Sequence, residues 1–378
     1  MEFTHLRRAA PFAHGSSRIV GVPRRKGAVA RMAGCALLTC AALAACGGGA
    51  HRTGMAPRFV FSPYKDALIS MNWSNLVMST NVTGALRPLL SVLPARQNAL
   101  TLGFASGECG SETWGGIAAD AFAQANVADL AAANVNYIIS TGGAAGAFTC
   151  GSDDDMIAFV NRYASKNLVG IDFDIEAGQS AAAIQSLVQR VKNVQSLFPG
   201  LRWSFTLPTL APSQGGSQAA SWGSAAPDGF NVYGDAVMQA IRDAGLARYT
   251  INLMAMDYGV AQAGNCVVSG SSCQMGQSAI QAAMNLHDHW GVPYSQIELT
   301  PMIGGNDDVN EVFSLADVAA VSAWVNANGL AGLHFWSFDR DNDCAAGPAS
   351  PTCNSYVQPG GAGAGTLGFD QAFLNALH

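Results

Sequence analysis

Residues 169–176 read Val-Gly-Ile-Asp-Phe-Asp-Ile-Glu. Asp172, Asp174 and Glu176 alternate with Ile171, Phe173 and Ile175. A period of two is the signature of a strand, which points successive side chains to opposite faces. Three carboxyls therefore share one face and three bulky apolar groups share the other. Three acids in a row on a buried face repel one another and cannot all be ionised. Such a row holds a proton at a raised pKa, which is what general acid–base chemistry requires.

Helical stretches flank this strand, so it belongs inside a sheet or barrel whose strands are covered by helices. Apolar β-type runs recur at 59–63, 99–104, 136–140, 168–176, 202–207, 249–258, 296–302 and 332–338. Helical patterns lie between them at 118–133, 155–166, 181–197, 235–244, 277–290 and 315–328. Alternating strand and helix means a parallel sheet with right-handed crossovers. Eight strands over about 320 residues predict a (β/α)8 TIM barrel. A doubly wound open sheet lacks the Gly-rich nucleotide fingerprint after its first strand. Barrel sites lie at the C-terminal ends of the strands. There the sequence places Ser140 to Gly143, Asp174, Glu176, Asp257, Tyr258, Asn306, Asp307 and Trp336.

The chain has 378 residues, 49% hydrophobic and 12% charged, with 42 Gly. Low charge with high hydrophobicity excludes disorder as the general state. Residues 1–45 differ: seven basic residues and one acid precede or surround an apolar run that ends Leu43-Ala44-Ala45-Cys46. A basic segment, a short apolar stretch and a small-residue site describe an export signal, and the run is too short to span a bilayer. Leu-Ala-Ala-Cys resembles a bacterial lipobox, which implies cleavage before Cys46 and lipid on its sulfur. The alternative is a plain secretory signal with an incidental cysteine. Residues 46–58 read as a tether, and 59–378 as the barrel.

Loss of residues 1–45 would take the charge from −6 to −12. That disfavours nucleic acid and polyanionic partners. Six cysteines remain: Cys109, Cys150, Cys266, Cys273, Cys344 and Cys353. An even number in an exported chain suggests disulfides. Local pairing favours Cys266–Cys273 and Cys344–Cys353, leaving Cys109 with Cys150. Metal-ligand spacing is absent, so no metal and no cofactor is expected.

With these residues in view, the chain resembles glycoside hydrolase family 18, the chitinase family, over residues 59–378. That family ends its fourth strand in Asp-x-x-Asp-x-Asp-x-Glu. Asp172, Asp174 and Glu176 match the last three acids, while Val169 replaces the first. Ser140-Thr141-Gly142-Gly143 matches the family's Ser-x-Gly-Gly, and Trp336 its strand-eight tryptophan. Met254-Ala255-Met256-Asp257 stands where the family has Met-x-Tyr-Asp. Met256 occupies the tyrosine position, and strand parity would put Tyr258 on the same face.

The resemblance implies a retaining mechanism in which the substrate's 2-acetamido group is the nucleophile. Glu176 would then be the general acid and base, its pKa raised by Asp174 and partial burial. Asp174 would accept the acetamide N–H. Asp172, deeper, would share a proton with Asp174, the pair titrating as a unit. Tyr258 would bond the acetamide carbonyl, and Trp336 would floor the sugar site. Met256 is expected on the substrate-binding surface with it. Asp257 is placed either to bind a sugar hydroxyl or to brace its loop. Trp73 and Trp114 follow strands one and two, where they either line outer subsites or pack.

These expectations make the chain an exported chitinase, an envelope lipoprotein or secreted, and by default a monomer. Its partner would be chitin or N-acetylglucosamine oligosaccharides. The same acid motif serves endo-β-N-acetylglucosaminidases acting on N-glycans, and a peptidoglycan-directed enzyme would suit an envelope lipoprotein. A chitin-oligosaccharide lectin is the non-enzymatic alternative, disfavoured by the retained Glu176. No appended binding domain is legible, which favours soluble oligosaccharides or loosely packed chitin.

Overall fold

The computed structural model describes residues 58–213, 228–308, 310–344 and 350–377. The expected export segment, Cys46 and the expected tether up to residue 57 lie outside the described residues.

Eight parallel strands form one ring. Strand β1 comes in two pieces, Val60–Phe61 and Tyr64–Asp66. The others are β2 (Ala99–Ala105), β3 (Asn136–Gly142), β4 (Leu168–Asp174), β5 (Arg202–Pro208), β6 (Thr250–Ala255), β7 (Ile297–Pro301) and β8 (Gly332–Leu333). Neighbours in sequence are neighbours in the sheet, and the two pieces of β1 lie at its two ends. The Ser62-Pro63 link joins those ends. Ser62 N–H donates to Leu333 on one side, and the Pro63 carbonyl accepts from Thr101 N–H on the other. The sheet is therefore closed, and the expected (β/α)8 barrel is the observed fold.

Strands β2 to β7 are each followed by a helix: α1 (Ala119–Ala132), α2 (Asp153–Arg162), α3 (Ala181–Val194), α4 (Val232–Ala244), α5 (Met275–Trp290) and α6 (Leu315–Asn328). Ser152, Ser180, Asn231 and Ser314 cap four of them by accepting from first-turn N–H groups. A further helix, α7 (Gly368–Ala376), follows β8. The chain after β1 forms a hairpin (Ser79–Thr80 with Arg87–Pro88) and a short 3₁₀ turn in place of a helix.

The apolar face of each strand explains the shell. Ile171, Phe173, Phe205, Leu207, Ile251 and Leu253 are fully buried beneath helix residues such as Ile184, Leu187, Val188 and Val191. Full burial of each is worth about 1.5–3 kcal/mol.

The interior is unusual. Barrels of this kind are generally filled by layers of branched apolar side chains. Here the inward positions are polar. In the lowest layer Arg202 and His334 flank Glu298, and His334 Nδ1 reaches Ser62. Burial alone would raise the Glu298 carboxyl, but Arg202 and His334 outweigh it and hold it at about 2. The layer above contains Asp172.

Two expected strands are shorter than their apolar runs. The run 249–258 stops being strand at Ala255, and the chain turns at Asp257 with φ +50°. The run 332–338 pairs as strand only at Gly332–Leu333, with one further bridge between Trp336 and Met302. The two disulfides expected from local pairing, Cys266–Cys273 and Cys344–Cys353, are present, and so is the remaining pair, Cys109–Cys150. No helix among the described residues is long and apolar enough to cross a membrane.

Candidate active site

Strand register builds the site. Asp172 lies opposite Ser140 of β3 and Ser204 of β5, and Thr206 lies opposite Asn252 of β6. Asp172 is 1% exposed and accepts four hydroxyls. Ser140 (2.6 Å) and Tyr64 (3.0 Å) donate to Oδ2, and Ser204 (2.6 Å) and Thr206 (2.7 Å) donate to Oδ1. An ionised carboxylate has about four lone-pair positions, so Asp172 is saturated.

Asp174 is the opposite case. It is 5% exposed, and its Oδ1 has no partner among the described residues. Burial, then Glu176, then Asp172 push its pKa well above the ordinary range, and no hydrogen bond opposes them. Burial also raises Asp172, but there the four hydroxyls pull against it. Of the two, Asp174 has room for a proton. The expected sharing of one proton between them takes a different form, because Asp172 is filled by hydroxyls from β1, β3 and β5. The two remain coupled through charge.

Glu176 follows the end of β4 and is half-buried. Burial raises its carboxyl, a backbone N–H of Ala144 lowers it, and Asp257 raises it again. Asp257, from the loop after β6, thus acts on Glu176 in addition to Asp174, with which Glu176 interacts through charge. The Ala144 N–H is delivered by the turn after β3. In that turn Gly142 has φ +86°, and a Cβ there would lie 2.0 Å from the Asp174 carbonyl oxygen. Only glycine lets the β3 and β4 ends approach so closely.

Asp257 braces its loop. Its Oδ1 accepts from Asp307 N–H at 2.8 Å, and its own N–H reaches Asn306 Oδ1 at 3.3 Å. Glu311 returns the tie by accepting from Tyr258 N–H. Burial lifts Glu311 to about 8. Trp336 is half-buried, 6.1 Å from the Tyr64 ring and 5.8 Å from the Phe104 ring. These three rings form an apolar wall joined to the acid row through the Tyr64 hydroxyl.

Three sequence expectations change. Trp114 is fully buried, stacked on Phe122 at 3.8 Å, with Nε1 donating to Tyr163. It packs α1 and cannot touch substrate from there. Tyr258 is 1% exposed and lies beyond the end of β6, past the turn at Asp257, so strand parity does not place it. Its hydroxyl has no partner among the described residues. Met256 is 8% exposed, and its N–H folds back onto the Met254 carbonyl. Trp73, in contrast, is 62% exposed in the loop after β1.

Tyr64, Phe104, Ser204, Thr206, Asn252 and Glu311 were missed by sequence reasoning. Each is a single polar or aromatic residue in an ordinary strand or loop. The parity of inward positions on β5 and β6 was the one available signal.

No family model matches the chain. Residues over 79% of it are 28% identical to Endochitinase 11 of Metarhizium anisopliae, across 54% of that protein. Over 56% of the chain, identity is 30% to the probable bifunctional chitinase/lysozyme of Escherichia coli, across 24% of it. The chain thus spans about half or less of the curated relatives it matches. The catalytic domain of a hyperthermophilic chitinase from Pyrococcus furiosus superposes with a TM-score of 0.60 at 25% identity, covering 86% of this chain and 96% of that one. The chain is similar to chitinases in sequence and in fold. Catalytic-site mutants of active domain 2 of the Pyrococcus enzyme, complexed with chito-oligosaccharides, superpose equally well (TM-score 0.60, 24% identity).

Proposed function

We propose that this protein is a chitinase of glycoside hydrolase family 18 that hydrolyses β-1,4 links between N-acetylglucosamine units with retention of configuration. The observation that carries the reading is the gradient along β4: a saturated acid, a buried acid with a free oxygen, and a half-exposed acid at the mouth. Glu176 protonates the glycosidic oxygen as the bond to the anomeric carbon breaks. The acetamide oxygen of the same sugar closes on that carbon, giving an oxazolinium-like ring. Asp174 accepts the acetamide N–H at its free oxygen, and the Asp172 charge beneath it stabilises the cation. Water, deprotonated by Glu176, then opens the ring.

Two-carboxylate hydrolysis would need a second free carboxylate as nucleophile or base. Asp257, the candidate from the loop after β6, is committed to backbone N–H groups of the 307–308 segment. Trp336 offers the sugar an apolar face. Tyr258 retains a role as partner of the acetamide carbonyl on the strength of its unpartnered hydroxyl, and Met256 contributes apolar surface beside it. The ligand of the Pyrococcus mutants supports chito-oligosaccharides as the substrate class. Export through residues 1–45, a lipid anchor at Cys46, a monomeric state and the absence of a nucleic-acid partner belong to the same reading. Incorporation of labelled fatty acid that disappears in Cys46→Ala tests the anchor.

The deciding experiment compares the protein with Glu176→Gln on a fluorogenic chitooligosaccharide. Loss of release with retained oligosaccharide binding establishes Glu176 as acid and base. Binding without turnover by the unmodified protein would leave a lectin, or a hydrolase for N-glycan or peptidoglycan.

A further inference from the structure

The polar layer around Asp172 contains one side chain that touches neither the acid row nor the mouth. Asn252 is 1% exposed, and its Nδ2 donates to the Tyr64 hydroxyl at 3.0 Å and to the Thr206 hydroxyl at 2.9 Å. Its Oδ1 accepts from the Thr300 hydroxyl at 2.8 Å. Three of the four hydrogen-bonding positions of the amide thus have partners.

We propose that Asn252 is a positioning residue that fixes the proton arrangement of the acid row. Each hydroxyl has one proton to give. Tyr64 and Thr206 also lie 2.9 Å from each other; with Asn252 donating to both, a charged Asp172 is the strongest acceptor within their reach, and both hydroxyls point their protons at it. With Ser140 and Ser204, that makes four donors, and Asp172 must be the charged member. A proton on Asp172 would meet four donors and no acceptor. The row's proton therefore resides on Asp174, whose Oδ1 is unpartnered. Were the amide turned over, its oxygen would take the Tyr64 and Thr206 protons. Asp172 would then retain two donors and become the better place for a proton. Thr300, on β7, is the donor to the amide oxygen in the first orientation. The proton order of β4 is in this sense written on β6 and β7.

Other charges facing the row are few. From above come Glu176, and through it Asp257. Tyr64 faces it from β1 and feels both aspartates. The His334 ring lies 5.9 Å from the Tyr64 ring in the layer below, where it pairs with Glu298, itself paired with Arg202.

The inference rests on the proposed glycosidase reading only for its kinetic consequence. It is tested on protein labelled with ¹³C at aspartate carboxyls, with Asp172→Asn and Asp174→Asn used for assignment. In the natural chain Asp172 should keep an ionised carboxyl signal from pH 5 to pH 8 while the Asp174 signal reports the protonated form. Asn252→Leu removes both donors without adding charge, and Thr300→Val frees the amide to turn. In either variant the Asp172 signal should begin to titrate within that range. The acid limb of kcat/KM should move by about one pH unit, the scale of losing charge-stabilising hydrogen bonds. An Asp172 that titrates near neutrality in the natural chain overturns the proposal. So does an unchanged carboxyl pattern in both variants when far-UV circular dichroism shows them folded. If Asn252→Leu does not fold, Thr300→Val alone decides. A natural chain with the expected carboxyl pattern and no hydrolysis would defeat the proposed function and leave this assignment intact.

Discussion

Asp172 and Asp174 lie two residues apart on one strand face, yet one accepts four hydroxyls and the other leaves an oxygen empty. Identical side chains thus acquire different tasks from their partners, and the same holds for Glu176 and Asp257. Glu176 must be protonated to act as the acid, so kcat/KM should fall as pH rises through its raised pKa. Burial sets most of that rise and Asp257 adds to it. Asp257→Asn can still accept the Asp307 N–H but carries no charge. It should move the alkaline limb to lower pH with modest loss at the optimum, and an unmoved limb would remove Asp257 from the electrostatics of Glu176. Trp114→Phe tests the reassignment of that ring. Losing its bond to Tyr163 in a buried setting should cost about 1–3 kcal/mol of stability, read from urea unfolding, while oligosaccharide affinity stays unchanged. Weakened binding at unchanged stability would return Trp114 to the substrate surface.

At the scale of elements, the strands were legible because their apolar runs and the helices between them alternate so regularly. The acid row was legible because its three members follow one another on a single strand. The hydroxyl layer was not. Tyr64, Ser140, Ser204, Thr206 and Asn252 come from four strands, and only closure in the observed register makes them neighbours. Tyr258 was misplaced for a local reason: parity counting assumes extended backbone, and Asp257 leaves it with a positive φ. Gly142 shows how tightly the β3 and β4 ends are fitted. Gly142→Ala would put a Cβ 2.0 Å from the Asp174 carbonyl oxygen at φ +86°. The strand ends must part, so activity should fall at least tenfold (about 1.4 kcal/mol in the barrier) together with a lower unfolding midpoint. Full activity in that variant would mean that the turn does not set the Ala144 contact to Glu176.

For the whole molecule, the longest staple is Cys109–Cys150, with a sequence separation of 41. It joins the chain after β2 to the chain after β3. In the chain-entropy picture it contributes about 4 kcal/mol. A second whole-molecule property comes from the docking of α7. Asp341 is buried and accepts the N–H groups of Phe369 and Asp370 at the start of that helix. Burial raises Asp341 to about 7, and burial with Asp341 raises Asp370 to about 8. Both folded values exceed the unfolded value of roughly 4. The folded protein therefore holds more protons than the unfolded chain between those limits, and stability falls as pH rises through them. The unfolding temperature should decline from pH 5 to pH 8.5, and Asp370→Asn should flatten the decline. An equal slope in the variant would place the sensitive groups elsewhere.

The broken first strand has a consequence for how such a protein fails. Ser62 and Tyr64 flank Pro63 at the seam where the ring is sewn to Leu333 and Phe335 on one side and to Thr101 on the other. Tyr64 belongs at once to the aromatic wall and to the Asp172 shell. A seam that gapes even transiently would unplug that shell while every helix stays in place. Chemistry would then be the fuse of the barrel, blowing in mild denaturant well before the helical signal dims.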